Sequence, residues 1–201
     1  MEIGADVVTV AATDRSVLLA RTGIPAIVDG PPARARILPQ PAIEWLPSQG
    51  EVHLSIERAT GGGTARVLLS GSDGDVRAVE GLSDLFPGVA EVIGADSAAG
   101  GRAVFDTTAV RDLLEPARPD DVALVIEDSS ASLRYDGRSV RGRAIGCTTT
   151  ARSLSCRSLR LISEAVVGPE LLCDLRDDGR SLLWRDAAQP DFAGLMLSQQ
   201  P

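Results

Sequence analysis

Apolar and polar positions along the chain fall into short runs set by turn residues, and most runs have the two-residue period of half-buried strands. In residues 7–20 (VVTVAATDRSVLLA) two apolar runs flank Thr13-Asp14-Arg15-Ser16. That gap predicts a β-hairpin, and an Asp opening a turn can bond its own backbone two residues on. Residues 23–35, rich in Pro and Gly, read as a connecting loop. Residues 36–39 read as a short strand, and residues 41–46 as a short helix with Pro41 in its first turn and Pro47 stopping it. Residues 51–57 (EVHLSIE) alternate strictly, Gly61-Gly62-Gly63 makes a turn, and residues 65–69 and 76–79 are two further strands. Residues 82–101 form a connection, so two domains are expected, 1–97 and 98–201.

The pattern then starts again. Residues 102–105 predict a strand and Asp106 an N-cap, after which Ala109, Val110, Leu113 and Leu114 fall at helical spacing. Three strands follow at 122–127, 131–135 and 140–147, with turns at Asp128-Ser129-Ser130 and Asp136-Gly137. A further copy begins with a strand at 151–154 and a helix from Ser155 to about Val167, with Leu159, Ile162, Ala165 and Val166 inward and Gly168-Pro169 ending it. Its three strands lie at 170–175, 181–185 and 192–197. The order strand-helix-strand-strand-strand thus occurs three times, starting near Ile37, Ala103 and Ser153, and the opening hairpin reads as the tail of a fourth unit. The fold class is α+β: repeated units of antiparallel sheet with helices on one face. A single unit cannot bury that face alone, so paired units should pack side by side.

Composition narrows the function. The chain has 201 residues, 44% hydrophobic but only 3% aromatic, so its cores rest on Leu, Val, Ile and Ala. A net charge of −8 argues against generalised nucleic-acid affinity while leaving room for a local basic track. All 20 basic residues are Arg. From Arg134 to Arg160 there are seven Arg against one acid, Asp136. Arg157, Arg160 and Glu164 share one helix face, with Arg152 on the strand before it. The other predicted helices offer Glu44 on one, and Arg111 with Asp112 and Glu115 on the other. No apolar run approaches membrane-spanning length, and Met1-Glu2 is no secretory start, so a cytoplasmic protein is expected.

Catalytic chemistry finds few candidates. His53 is the single His, and no Ser or Cys stands at nucleophile spacing from it. Asp120-Asp121 and Asp177-Asp178 are turn acids with no spaced ligand set around them. Gly61-Gly62-Gly63 joins two strands, whereas a phosphate cradle opens a helix. Cys147, Cys156 and Cys173 are odd in number and widely spaced, which suits buried small hydrophobes and neither a disulfide framework nor zinc. No enzyme activity, metal or cofactor is expected.

Four stretches, taken with the repeat, resemble one family: the bacterial DNA polymerase III beta subunit, the sliding clamp. AATDRSVLLA is similar to the hairpin of its second domain, and ILPQPAIEWL to the start of that domain's second half. LFPGVAEVI resembles the linker into the third domain, and DFAGLMLS the final strand. The resemblance covers essentially the whole chain and implies the DNA clamp fold, corresponding to the later part of the second domain and the third domain, with no counterpart of the first. Such clamps are ring-forming oligomers that act as processivity factors in DNA replication. Helices line the hole, and partner peptides of polymerases and repair proteins, of the QLxLF type, dock between the second and third domains.

Carried onto this sequence, the partner-peptide groove would use Thr13, Arg15, Ser16, Val17 and Leu18, then Pro87, Glu91 and Val92, then Met196, Leu197 and Ser198. Arg152, Arg157 and Arg160 would meet double-stranded DNA non-specifically through phosphates. The groove departs from the family pattern at Arg15, Val17, Glu91 and Ser198, and the linker reads FPGV, so its charge is altered. The expected function is a clamp-like, non-enzymatic protein that binds partner peptides, DNA and other copies of itself. The alternative is a regulatory or ligand-sensing module reusing the clamp fold, for example within a transcriptional regulator.

Overall fold

The computed structural model describes residues 1–14, 16–36, 52–57, 66–72, 74–81, 88–93, 100–115, 121–176 and 178–198, the Ala90 side chain excepted. The strand and helix expected at 36–46 fall almost wholly outside them, as do Gly61-Gly62-Gly63, Arg15, Pro87, Asp120 and Asp177. The chain folds as two units, Met1–Val10 with Gly23–Gly88, and Ala11–Thr22 with Val89–Pro201.

In the first unit β1 (Glu2–Ile3) pairs antiparallel with β2 (Val7–Thr13). The strand β3 (Val17–Pro25) runs further than the loop expected from residue 23, because Ala26 N donates to Asp6 O at 3.0 Å and keeps the chain extended. A short β4 (Ala33–Arg34) then adds to β1. The remaining strands β5 (Val52–Glu57), β6 (Arg66–Gly71) and β7 (Val76–Glu80) form an antiparallel sheet. Val52, Leu54 and Ile56 pack on Val67, Leu69 and Val79, while His53, Ser55 and Glu57 stay exposed. That alternation is the one read from EVHLSIE.

The second unit opens with α1 (Val89–Ile93), a single turn of helix inside the stretch read as a connection. Two copies of one unit follow. The first is β8 (Arg102–Asp106), α2 (Thr107–Leu114), β9 (Asp121–Glu127), β10 (Ser130–Tyr135) and β11 (Arg138–Ile145). The second is β12 (Thr150–Ser155), α3 (Cys156–Ala165), β13 (Glu170–Leu175), β14 (Ser181–Asp186) and β15 (Gln189–Leu197). Both helices start where a cap was read: Asp106 accepts from Ala109 N at 2.8 Å, and Ser155 from Ser158 N at 3.3 Å. The Asp136-Gly137 turn has φ of 47° and 72°, the left-handed pair a two-residue hairpin needs.

The strand order in this unit is β12-β9-β10-β11-β8-β13-β14-β15-β3. The first strand of each copy is lent to the other: β12 pairs with β9, and β8 pairs with β13 as well as with its own β11. Both helices cover one face, since α2 buries Val110, Leu113 and Leu114, and α3 buries Cys156, Leu159 and Ile162. Beneath them lie Leu124, Ile126, Leu133, Leu171 and the tilted pair Phe105–Trp184, with ring centroids 6.4 Å apart. Each such aromatic removed from a core costs about 3–5 kcal/mol.

Candidate functional site

The hairpin tip is built around Asp14. Its Oδ1 accepts from Ser16 Oγ at 2.6 Å, Ser16 N at 3.0 Å and Val17 N at 3.1 Å, the Asx turn expected of that residue. The Ser16 hydroxyl first, then these backbone bonds and the Arg157 charge, hold its carboxyl below the ordinary value against the opposing effect of burial. Thr13 Oγ1 donates to Val17 O at 2.8 Å, and Ser16 Oγ lies 3.3 Å from Ser158 Oγ in the first turn of α3.

Beyond the tip the two-residue period divides the candidate groove residues between the faces of the sheet. Val17 stands opposite Met196, and both are buried in the core under the helices. Leu18 stands opposite Leu195, which stands opposite Leu183. The same face continues to Leu197, which is 62% exposed, whereas Leu18 and Leu183 are buried. The result is an apolar strip, Leu183–Leu195–Leu18, open at its Leu197 end. Ser198 closes that end, its N and Oγ both donating to Arg180 O at 2.7 and 2.9 Å.

The helix α1 joins the same region through Arg176. Arg176 N donates to Ser181 O, and Ser181 stands opposite Leu197, so Arg176 lies in the row that holds Leu197. Its Nη1 donates to Val92 O at 2.9 Å, with Val92 half-buried and Glu91 exposed. Sequence reasoning missed Leu195, Leu183 and Arg176. For Leu195 the signal was present, since in β15 Leu195 and Leu197 stand two residues apart on one face; Leu183 follows Leu182 directly in β14, and only its pairing with Leu195 places it in the row. Arg176 carried none, because its partner is a backbone carbonyl 84 residues away.

The Arg residues expected to meet DNA sit at or beside α3, and two of them have acidic partners. Arg160 Nε is 2.7 Å from Glu164 Oε1, and Arg157 Nη2 is 3.6 Å from Asp14 Oδ2. Arg152, half-buried, donates to Ala151 O at 3.4 Å. Arg111 has a different task. It reaches from α2 across to α3, where Nε and Nη2 donate to Ser163 O at 2.9 and 2.7 Å, and Nη2 also to Val166 O. Those are carbonyls that the end of α3 leaves without helical donors.

His53 is an exposed strand residue opposite Ser70. Asp178 spends its carboxylate inside its own turn, accepting from Arg180 N, Ser181 N and Ser181 Oγ, and Asp121 Oδ2 accepts from Ser153 Oγ at 2.6 Å. Cys156 and Cys173 are buried and Cys147 half-buried, none of the three is in a disulfide, and burial pushes the Cys173 thiol well up. Among the described residues no cluster of His, Cys, Asp and Glu is arranged to hold a metal ion, and no helix is long and apolar enough to cross a membrane.

No sequence-family model matches the chain, and no curated protein sequence matches it. Solved structures do. The DNA polymerase III subunit beta of Pseudomonas aeruginosa superposes with a TM-score of 0.79 at 12% identity, over 99% of this chain and 57% of that one. The sliding clamp of Caulobacter crescentus gives a TM-score of 0.73 at 15% identity, over 96% and 53%. The Pseudomonas clamp bound to griselimycin gives 0.75 at 12%, over 100% and 56%. The chain spans a little over half the length of these clamps, and over that length it has the fold of the bacterial DNA polymerase III beta sliding clamp.

Proposed function

We propose that this chain is a clamp-like, non-enzymatic protein that holds peptide segments of partner proteins on the strip made by Leu18, Leu195 and Leu197. The observation that carries this reading is the exposed Leu197 at the open end of a row in which Leu195 is half-buried and Leu18 and Leu183 are buried, beside the α1 backbone fixed by Arg176. An apolar anchor that completes such a row desolvates it, and a few contacts of that kind supply most of a peptide's affinity. Thr13, Ser16, Glu91, Val92 and Ser198 frame the strip and set its polarity. Val17 and Met196 act from beneath by fixing the register of β3 on β15. The polymerases and repair proteins served by clamps are the partners this reading names.

Duplex DNA and further copies of the chain belong to the same reading of the fold. Contact with DNA through Arg152, Arg157 and Arg160 has the weaker support, because two of these cations already face Asp14 and Glu164. The test of the strip is titration of a fluorescent QLxLF-type peptide. Wild type should bind at micromolar concentration and Leu197→Asp at least ten-fold more weakly, with its thermal unfolding unchanged because the side chain is exposed. Absence of binding at high micromolar peptide overturns the proposal.

A further inference from the structure

The face of the second unit's sheet away from its helices carries an arginine grid that nothing above employs. Ala131, Leu133 and Tyr135 of β10 are buried, so Ser130, Ser132 and Arg134 project from the other face. Register places Arg143, Arg141 and Ser139 of β11 directly opposite these three. Arg134 and Arg141 are therefore diagonal neighbours, and Arg141 and Arg143 are two residues apart on one strand. Arg134 Nε reaches only Ser132 Oγ, at 3.2 Å, and among the described residues neither Arg134 nor Arg141 has an acidic partner. Elsewhere in the unit Arg157, Arg160, Arg102, Arg185 and Arg21 each meet a carboxylate, and Arg111, Arg138, Arg152 and Arg176 each donate to a backbone carbonyl. Like charges set diagonally across a sheet repel, and a chain of net charge −8 has acids enough to pair them.

We infer that the Arg134–Arg141–Arg143 face is a docking surface for an acidic peptide segment of a partner protein, lying extended along β11. Three observations point to carboxylates. Arg143 Nη2 already holds Glu170 Oε1 at 2.9 Å, so the grid accepts one from this chain. Alternate side chains of an extended peptide are spaced as Arg141 and Arg143 are, about 7 Å apart. Ala123 and Val125 of β9, opposite Arg134 and Ser132, offer an apolar flank for the peptide's aliphatic carbons. A guanidinium takes a carboxylate through two parallel bonds, which fixes direction as well as charge. Duplex DNA suits the face less well. Three strands span only about 10 Å, and two or three phosphate contacts, a salt slope of about −2 to −3, are few to set against a chain of this net charge.

The inference goes beyond the partner-peptide strip and is tested apart from it. The probe is a fluorescein-labelled eight-residue peptide of alternating Glu and Ser, followed by anisotropy at 50 and 200 mM salt, with a labelled 20-base-pair duplex in parallel. The full chain should bind the peptide, bind it more weakly at the higher salt, and lose at least ten-fold in affinity in Arg134→Ala/Arg141→Ala. Arg157→Ala/Arg160→Ala should leave it unchanged, and the QLxLF-type peptide should bind the Arg134→Ala/Arg141→Ala variant as it binds wild type. No binding at 50 mM salt, an equal loss in the α3 variant, or a duplex that binds more tightly than the peptide through Arg134 and Arg141 would each overturn the assignment.

Discussion

Asp186, 2% exposed, holds the chain between α3 and β13 by accepting from Val167 N at 2.8 Å, Gly168 N at 2.9 Å and Ala188 N at 2.8 Å. Burial on its own would raise this carboxyl. The backbone N–H groups of Gly168, Val167, Ala188 and Gln189 outweigh it and set the value below the ordinary one. A depressed carboxyl contributes stability that is full above the unfolded value, near 4, and is lost as pH falls through the folded value. Asp186→Asn should cost about 1–3 kcal/mol near neutral pH, with the gap to wild type narrowing below about pH 4, as read by thermal unfolding between pH 7 and 2. Gly168 read in sequence as a helix stop, and the helix does end just before it, at Ala165. The residue is small for another reason: a Cβ there would run into the Asp186 carboxylate and Ala188 Cβ. That contact joins residues 18 apart, beyond the reach of any local pattern.

For the helices, local signals were sufficient to place the starts and insufficient to explain the ends. Asp106 and Ser155 are caps that short-range chemistry announces, whereas the end of α3 is completed by Arg111 from α2. Arg111→Ala would leave the carbonyls of Ser163 and Val166 without those donors and should destabilise the chain by about 1–3 kcal/mol in urea unfolding. Arg157→Ala, which removes only an exposed pair, should change it by less than about 1 kcal/mol. On the helix face, sequence counted both as cations; geometry makes one a structural clasp and leaves the other at the surface. The strands divide in the same way. Period two showed the two faces of β5 in EVHLSIE, but which strand stands beside which, and hence the Leu183–Leu195–Leu18 row and the arginine grid, depends on register across distant segments.

At the scale of the molecule, the order strand-helix-strand-strand-strand was legible although the copies share few residues, because turns and periods repeat where side chains do not. The lending of β8 and β12 between the copies was not, since periodicity is silent on partners. That exchange makes the second unit a permanent handshake between its halves. A chain nicked between Cys147 and Thr148 would leave β9 without β12 in one piece and β13 without β8 in the other, so each piece made alone should fail to fold. Mixed, the two should recover a single cooperative unfolding transition and co-elute by gel filtration; a piece that folds alone would show the halves to be self-sufficient. The clasp that keeps either half from standing alone also makes the unit a natural split reporter, assembled only where both pieces meet.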